Sequence, residues 1–311
     1  MFFQYTTYAD FLSRYLPGKI QKIAVNAGFS CPNRDGTIGW GGCAFCTNES
    51  FVPSYCNAGD TIAEQLRKGV LFFRRKYPAM QFLAYFQAYT NTYASVDNLR
   101  RRYYEALEAD GVVGLVIATR PDCLPDDVMS LLEELARQTF LCVEIGIETV
   151  HNRTLRLIHR GHDYATSATA VKELAARNIH VGAHMILGLP GELRHDILQQ
   201  AKTIAQLPIQ TIKLHQLQIL RGTPMERLYH AHPELFLSFT PQSYASIVLD
   251  YLSFLPPSVA LDRFVNQSPP QLLATPGWGL KNYEFLAVLH NEYDKRAALK
   301  NLPQTNYNHR Q

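Results

Sequence analysis

The sequence predicts an α/β chain in which strand and helix alternate about six times, giving a mostly parallel sheet with helices on its outside. Three observations carry this. Short runs rich in Val, Ile, Leu and aromatic residues recur between longer amphipathic stretches. Several of the amphipathic stretches open on Thr, Asp or Pro, which satisfy or spare the first free backbone N–H groups of a helix. A chain of 311 residues with 47% hydrophobic content is enough to bury the core of one such domain.

Ile20–Ala27 reads as the first strand, and Thr61–Tyr77 as its helix, started by Asp60 or Thr61. Phe82–Tyr89 is the second strand and Val96–Ala109 its helix, with Asp97 in the first turn. Val112–Thr119 leads to Pro125–Gln138, where Pro125, Asp126 and Asp127 mark the start. Phe140–Ile147 pairs with Tyr164–Arg177, His180–Leu187 with Arg194–Gln206, and Thr211–Leu220 with Pro241–Leu255, opened by Thr240-Pro241. Six such units are two short of a closed eightfold barrel. We expect a single domain over residues 1–311, with its core at about 19–256, a short N-terminal extension and a C-terminal extension at about 257–311. Ligands of parallel sheets sit beyond the carboxyl ends of the strands, so the residues that follow each strand are the ones to read for chemistry.

The N-terminus, Met1 to Asp10, lacks a basic segment followed by a long apolar one, and no apolar run approaches the roughly 20 residues that span a bilayer. A cytoplasmic chain with no membrane partner is expected. Six cysteines are too few for a disulfide scaffold at this length, and the close spacing of three of them favours metal in a reducing compartment. A net charge of +3 permits a nucleic-acid partner without requiring one. Basic clusters occur at Arg74-Arg75-Lys76, at Arg100-Arg101-Arg102, and at Arg153, Arg156, His159, Arg160 and His162; the first two read as solvated helix faces.

Just after the first strand come Cys31, Cys43 and Cys46, in a stretch that carries four glycines between the first two cysteines. Such a loop can take the positive-φ turns that wrap sulfurs around an inorganic core, and three thiolates leave one iron of a [4Fe–4S] cluster open to a small molecule. The other reading of the same residues is a closed four-thiolate zinc site completed by Cys56. Downstream, Glu144, Gly146 and Glu148 share one face of the fourth strand, and a buried parallel strand has little use for two acids without partners. Structural salt bridges to Arg160 and Arg120 would also account for them. His184 shares a face with Ile186 and Gly188 and is a weak substrate-site candidate, while Lys213 and His215 fall together on the sixth strand and are the candidate catalytic groups. Cys123 and Cys142 read as buried or semi-buried residues.

These motifs resemble those of the radical S-adenosylmethionine (SAM) enzymes. Cys43-Ala44-Phe45-Cys46 is similar to the second half of their cluster motif, with an aromatic residue before the last cysteine. The first gap departs from it, being eleven residues rather than the usual three, and resembles the widened loop of a bacterial subgroup similar to the radical-SAM part of the Elongator catalytic subunit. Gly28-Phe29-Ser30-Cys31-Pro32-Asn33-Arg34-Asp35-Gly36 is the distinctive phrase of that subgroup, and the resemblance runs from about Lys19 to Lys281.

The resemblance implies an open, partial (β/α)6 TIM-like barrel. It implies a [4Fe–4S] cluster held by Cys31, Cys43 and Cys46, and SAM seated by Phe45, by carbonyls of Thr90 and Asn91, by Glu148 and Glu144, by Arg160 at the carboxylate, by Gly188 at the adenine and ribose, and by the adenine-side segment from Leu220 to Met225. Pro276 to Lys281 resembles a C-terminal phrase of the subgroup, with Arg263 upstream. The implied activity is reductive cleavage of SAM by an external one-electron donor, followed by hydrogen-atom abstraction from a substrate. The Elongator likeness points to a wobble uridine of tRNA, and not to DNA, with Arg34, Arg153, Arg156 and Arg160 near its phosphates and Phe86, Tyr89 and Tyr93 for stacking. A small metabolite or a protein side chain is the competing substrate, and a zinc-stabilised RNA-binding protein without catalysis the competing class.

Overall fold

The structure, a computed structural model, describes residues 5–47, 55, 56, 59–75 and 78–300, the last two by backbone only. Helix α1 (Tyr8–Leu12) precedes β1 (Ile20–Val25), α2 (Ile62–Arg74), β2 (Gln81–Phe86), α3 (Val96–Leu107), β3 (Val112–Thr119), α4 (Asp126–Gln138) and β4 (Phe140–Glu148). Then follow α5 (Asn152–Leu157), α6 (Tyr164–Ala176), β5 (His180–Leu187), α7 (Arg194–Ile204), β6 (Thr211–Gln216), α8 (Pro224–Ala231), α9 (Pro241–Leu252), β7 (Ala260–Arg263) and α10 (Asn282–Lys300). The strands form one seven-stranded sheet in chain order, every neighbouring pair parallel. This is the open α/β half-barrel that the sequence predicts, with its helices packed outside.

Strand alternation divides the interior in two. Ile23, Val25, Phe82, Ala84, Phe86, Ile117, Val143, Ala183 and Leu214 point outward into the main core under the helices. Ala24, Leu83, Tyr85, Val116, Ala118 and Cys142 point inward, where Phe11 and Leu12 of α1 pack with Phe140 and plug the barrel at the strands' amino ends. The inner positions nearer the carboxyl ends carry the polar residues described below. All nine residues of β4, the central strand, are buried.

All six predicted strands are present, but β1, β2 and β6 stop short of their predicted ends because Asn26 to Ala27, Gln87 to Tyr89 and Leu217 to Leu220 leave the ladder to form the site's loops. The seventh strand lies in the segment read as a C-terminal extension; with four residues it is too short to show a period, and only pairing with β6 makes it a strand. The same segment supplies α10, which packs on α9. Helices α1, α5 and α8 also escaped the sequence reading, α5 having only six residues. Thr61 and Thr240 cap α2 and α9 as predicted, and Asp97 lies in the first turn of α3, whose cap position is Ser95. Lys76 and Tyr77, at the end of the first predicted helix, and residues 301–311 lie outside the described residues. No described helix is long and apolar enough to cross a membrane.

Candidate active site

A cavity of about 490 Å³ opens at the carboxyl ends of the strands. Cys31, Cys43 and Cys46 all line it, on the loop that follows β1. Turn hydrogen bonds hold this loop from within, Arg34 N–H to Cys31 O at 2.8 Å, Gly42 N–H to Asn33 O at 2.8 Å and Cys46 N–H to Cys43 O at 2.9 Å. Two bonds pin it from outside: Ala44 N–H donates to Ile158 O and Met225 N–H to Ala44 O, both at 2.9 Å. At Gly42 φ is +88° and a Cβ would lie 2.9 Å from Arg34 Nε, so glycine is required there for Arg34 to sit behind the thiols.

Two of the three sulfurs, those of Cys43 and Cys46, are met by N–H donors. Arg160 Nη1 and Asn33 Nδ2 reach Cys43 Sγ at 3.5 and 3.4 Å, and Arg34 Nη2 reaches Cys46 Sγ at 3.5 Å while holding its carbonyl at 3.0 Å. Donors of this kind stabilise thiolates and tune a sulfur-held cluster. Cys56 is placed elsewhere: its thiol donates to Ala24 O at 2.9 Å and packs with the inward plug, and burial, reinforced by Asp60, pushes it up to about 12. It does not line the cavity, which removes the four-thiolate zinc reading. Among the described residues no three His, Cys, Asp or Glu side chains converge on a single-ion site.

Beside the thiols stands the Glu148–Arg160 pair, 3.5 Å apart. Arg160 is buried and also donates to Gly146 O at 2.6 Å. Burial works against its charge, but Cys43 and Glu148 hold the guanidinium above its ordinary value. Its Nε, and Nη1 of the neighbouring Arg120, are buried without a protein partner, and both side chains line the cavity. Two orphaned guanidinium donors beside three thiols suit an anionic group such as a carboxylate next to a cluster. Phe45, Thr90 and Leu220 complete this end of the wall.

The opposite side is a network of charges on alternate inner positions. Glu144 Oε2 accepts from Lys213 Nζ at 2.7 Å, Tyr85 OH at 2.7 Å and His184 Nε2 at 2.8 Å, while Oε1 accepts from Lys22 Nζ at 2.9 Å. Asp262 takes Lys22 at 2.5 Å and Lys213 at 3.4 Å. Burial would raise the Glu144 carboxyl, but Lys213, Lys22 and His184 more than reverse it and hold it well below the usual range. Burial draws Lys213 below the ordinary lysine value, against the pull of Glu144. His215 lies 5.9 Å from His184, ring to ring, and its Nε2 is buried and unpartnered. Burial, then His184, Arg263 and Lys213, keep it well below its ordinary value, so it is a neutral imidazole with a free nitrogen on the cavity wall.

The structure thus brings Cys31, Cys43, Cys46, Phe45, Glu144, Glu148, Arg160, Leu220, Lys213 and His215 to one cavity. It corrects several readings. Glu144 accepts from four protein donors, three on Oε2 and Lys22 on Oε1, and so is bound into the charge network of the wall. Glu148 does pair with Arg160, but the partners of Glu144 are Lys22 and Lys213 rather than Arg120. Asn91 lies behind the wall: its amide donates to Phe86 O and Ala118 O at 3.0 and 2.9 Å and its carbonyl accepts from Tyr103, leaving Thr90 to face the cavity. Gly188 is off the wall too, packed against the Phe239 ring. Phe86 is wholly buried in the outer core and cannot stack, Arg153 is bound to Asp196 at 2.7 Å, and Tyr93 and Arg156 do not line the cavity, unlike Arg34 and Tyr89. The sequence reading missed Lys22, Tyr85 and Asp262; a lysine at an inward position of an apolar strand was the available signal, since it demands a buried carboxylate.

Residues 31–204 match the radical SAM superfamily and residues 209–295 the radical SAM C-terminal domain. The chain is 39% identical over 295 residues to the uncharacterized protein YtqA of Bacillus subtilis, covering 95% of this chain and 91% of that one. It is 22% identical over 188 residues to the tRNA uridine(34) acetyltransferase of Methanocaldococcus infernus, covering 59% of this chain and 34% of that protein. The solved structure of the archaeal Elp3 of Methanocaldococcus infernus superposes with a TM-score of 0.67 at 16% identity over 91% of this chain and 64% of that one, a likeness of fold. The chain is therefore a radical SAM enzyme of the Elongator-like family, whose superfamily works with a [4Fe–4S] cluster and S-adenosylmethionine.

Proposed function

We propose that Cys31, Cys43 and Cys46 hold the [4Fe–4S] cluster, that Arg160 with Arg120, Glu148, Phe45, Thr90 and Leu220 seat S-adenosylmethionine, and that the substrate is a wobble uridine in a tRNA anticodon loop. One arrangement carries the reading: three thiols on one cavity wall, each of two of them met by a guanidinium, next to orphaned donors of Arg160 and Arg120. Together, cluster and S-adenosylmethionine supply, on reduction by an external one-electron donor, the abstraction of a hydrogen atom from an unreactive carbon. The chain's part is to orient and to exclude water. Arg160 and Arg120 offer donors suited to a carboxylate, and Arg34 and Asn33 keep negative sulfur in place. Lys213 and His215 face the cavity from the sixth strand, the first as a proton donor tied to Glu144, the second as a neutral base. Arg34 and Tyr89 at the wall suit the phosphate and face of an unpaired nucleotide.

Similarity to a tRNA uridine(34) acetyltransferase supports the RNA substrate. The chemistry is tested by iron and sulfide content after anaerobic purification and by release of 5′-deoxyadenosine from S-adenosylmethionine; a colourless protein that carries only zinc refutes it. The substrate is tested by nucleoside profiling of tRNA from cells lacking the protein, where an unchanged wobble-uridine profile refutes the RNA.

A further inference from the structure

A second cavity, of about 310 Å³, lies beside the first, and the two share Gln216, Leu217 and Gln218, where the chain leaves β6. Aromatic rings wall it. Tyr229 and Phe236 meet edge to face at 5.2 Å, and Phe239 and Trp278 stand with them. This wall is fixed before any ligand arrives: Trp278 packs on Tyr244 and Phe285 and donates its Nε1–H to Phe239 O at 3.1 Å. Gly188 explains itself here. A Cβ at that position would come within 2.6 Å of the Phe239 ring. Gln218 Oε1 accepts from Ser268 N–H at 3.2 Å, which orients the amide and leaves its NH2 group as a donor. Arg221, Arg227 and His230, all exposed, follow the shared segment in the chain.

We propose that this cavity binds a second unpaired nucleobase, the neighbour of the reacting uridine, stacked among these rings. The inference rests on the RNA reading above. Rings give a sequence-tolerant face for a base, an oriented amide reads its edge, and arginines outside meet the phosphates, the combination by which single-stranded RNA is held. The dividing segment is three residues, roughly 10 Å of extended chain, which two splayed, adjacent nucleotides can straddle. None of the rings belongs to the cluster or S-adenosylmethionine seat.

The test uses cluster-loaded enzyme and a labelled anticodon stem-loop RNA, with binding read by anisotropy. An abasic nucleotide at one neighbour of the wobble uridine is expected to weaken binding about tenfold or more. Tyr229→Ala and Phe236→Ala, half-buried positions outside the main core, are expected to weaken intact RNA to the same degree and the abasic RNA no further. If RNAs abasic at either neighbour bind as tightly as the intact one, the inference fails while the RNA reading stands; equal weakening of intact and abasic RNA by the variants also overturns it. If the wild type binds no stem-loop, both fail together.

Discussion

Lys213→Met removes one of the two ammonium groups from a buried site that also holds the carboxylates of Glu144 and Asp262. The wild-type count is balanced, and methionine of similar length leaves one negative charge in excess, with Glu144 1% exposed. Breaking a buried pair from one side costs about 3–5 kcal/mol, because the remaining charge stays desolvated. In a chain of this size that is a fall in melting temperature of roughly 6–10 °C. Adding Glu144→Gln restores the balance, since Lys22 keeps Asp262 at 2.5 Å, so the double variant should be less destabilised than the sum of the two by about 2 kcal/mol or more. Differential scanning fluorimetry on the four cluster-free proteins measures the cycle. A Lys213→Met protein within about 1 kcal/mol of wild type, or a double variant at the simple sum, would show that the charges are not coupled as the distances indicate.

Cys43→Ala should abolish both iron loading and 5′-deoxyadenosine release; retained release would contradict the ligand set. Arg160→Lys keeps the charge but loses the fork that serves Gly146 O and Cys43 Sγ, so iron content should stay near wild type while affinity for S-adenosylmethionine, measured by equilibrium dialysis, falls about tenfold or more. Burial pushes Cys56, Cys123 and Cys142 up to about 12 and raises Cys46 as well, whereas Cys31 is only half-buried on the cavity wall, so in cluster-free protein at mildly alkaline pH iodoacetamide should modify Cys31 before Cys56, Cys123 and Cys142, which peptide mass spectrometry reads out; Cys56 labelling at the same rate would argue against its placement. These raised thiols hold their protons more tightly when folded, so their contribution is complete below pH 9 and is lost as pH rises toward 12; alkaline melting curves should decline through that window. Gly188→Ala meets the Phe239 ring at a positive φ and should cost roughly 1–3 kcal/mol, read as a lower melting temperature without loss of iron.

By itself the sequence determined the alternation of strand and helix, and with it the parallel sheet, because burial on both faces forces near-continuous apolar runs that are visible along the chain. It also located the thiols: three cysteines spaced by glycines are a local feature, and the loop that follows a strand must end at the carboxyl face. What faces what was not local. Whether Glu144 was free or spent depended on Lys22 and Lys213, 122 and 69 residues away, and alternation gave its face but not its partners. Asn91 and Gly188 came to the wall by resemblance, yet the hydrogen bonds of Asn91 to Phe86 O and Ala118 O and the Phe239 ring beside Gly188 hold both off this cavity, and those contacts are tertiary. The seventh strand exists only because β6 offers it an edge. Tertiary structure decided these points because a buried charge or a short strand takes its free energy from neighbours distant in sequence, and only the closed fold brings them within a hydrogen bond.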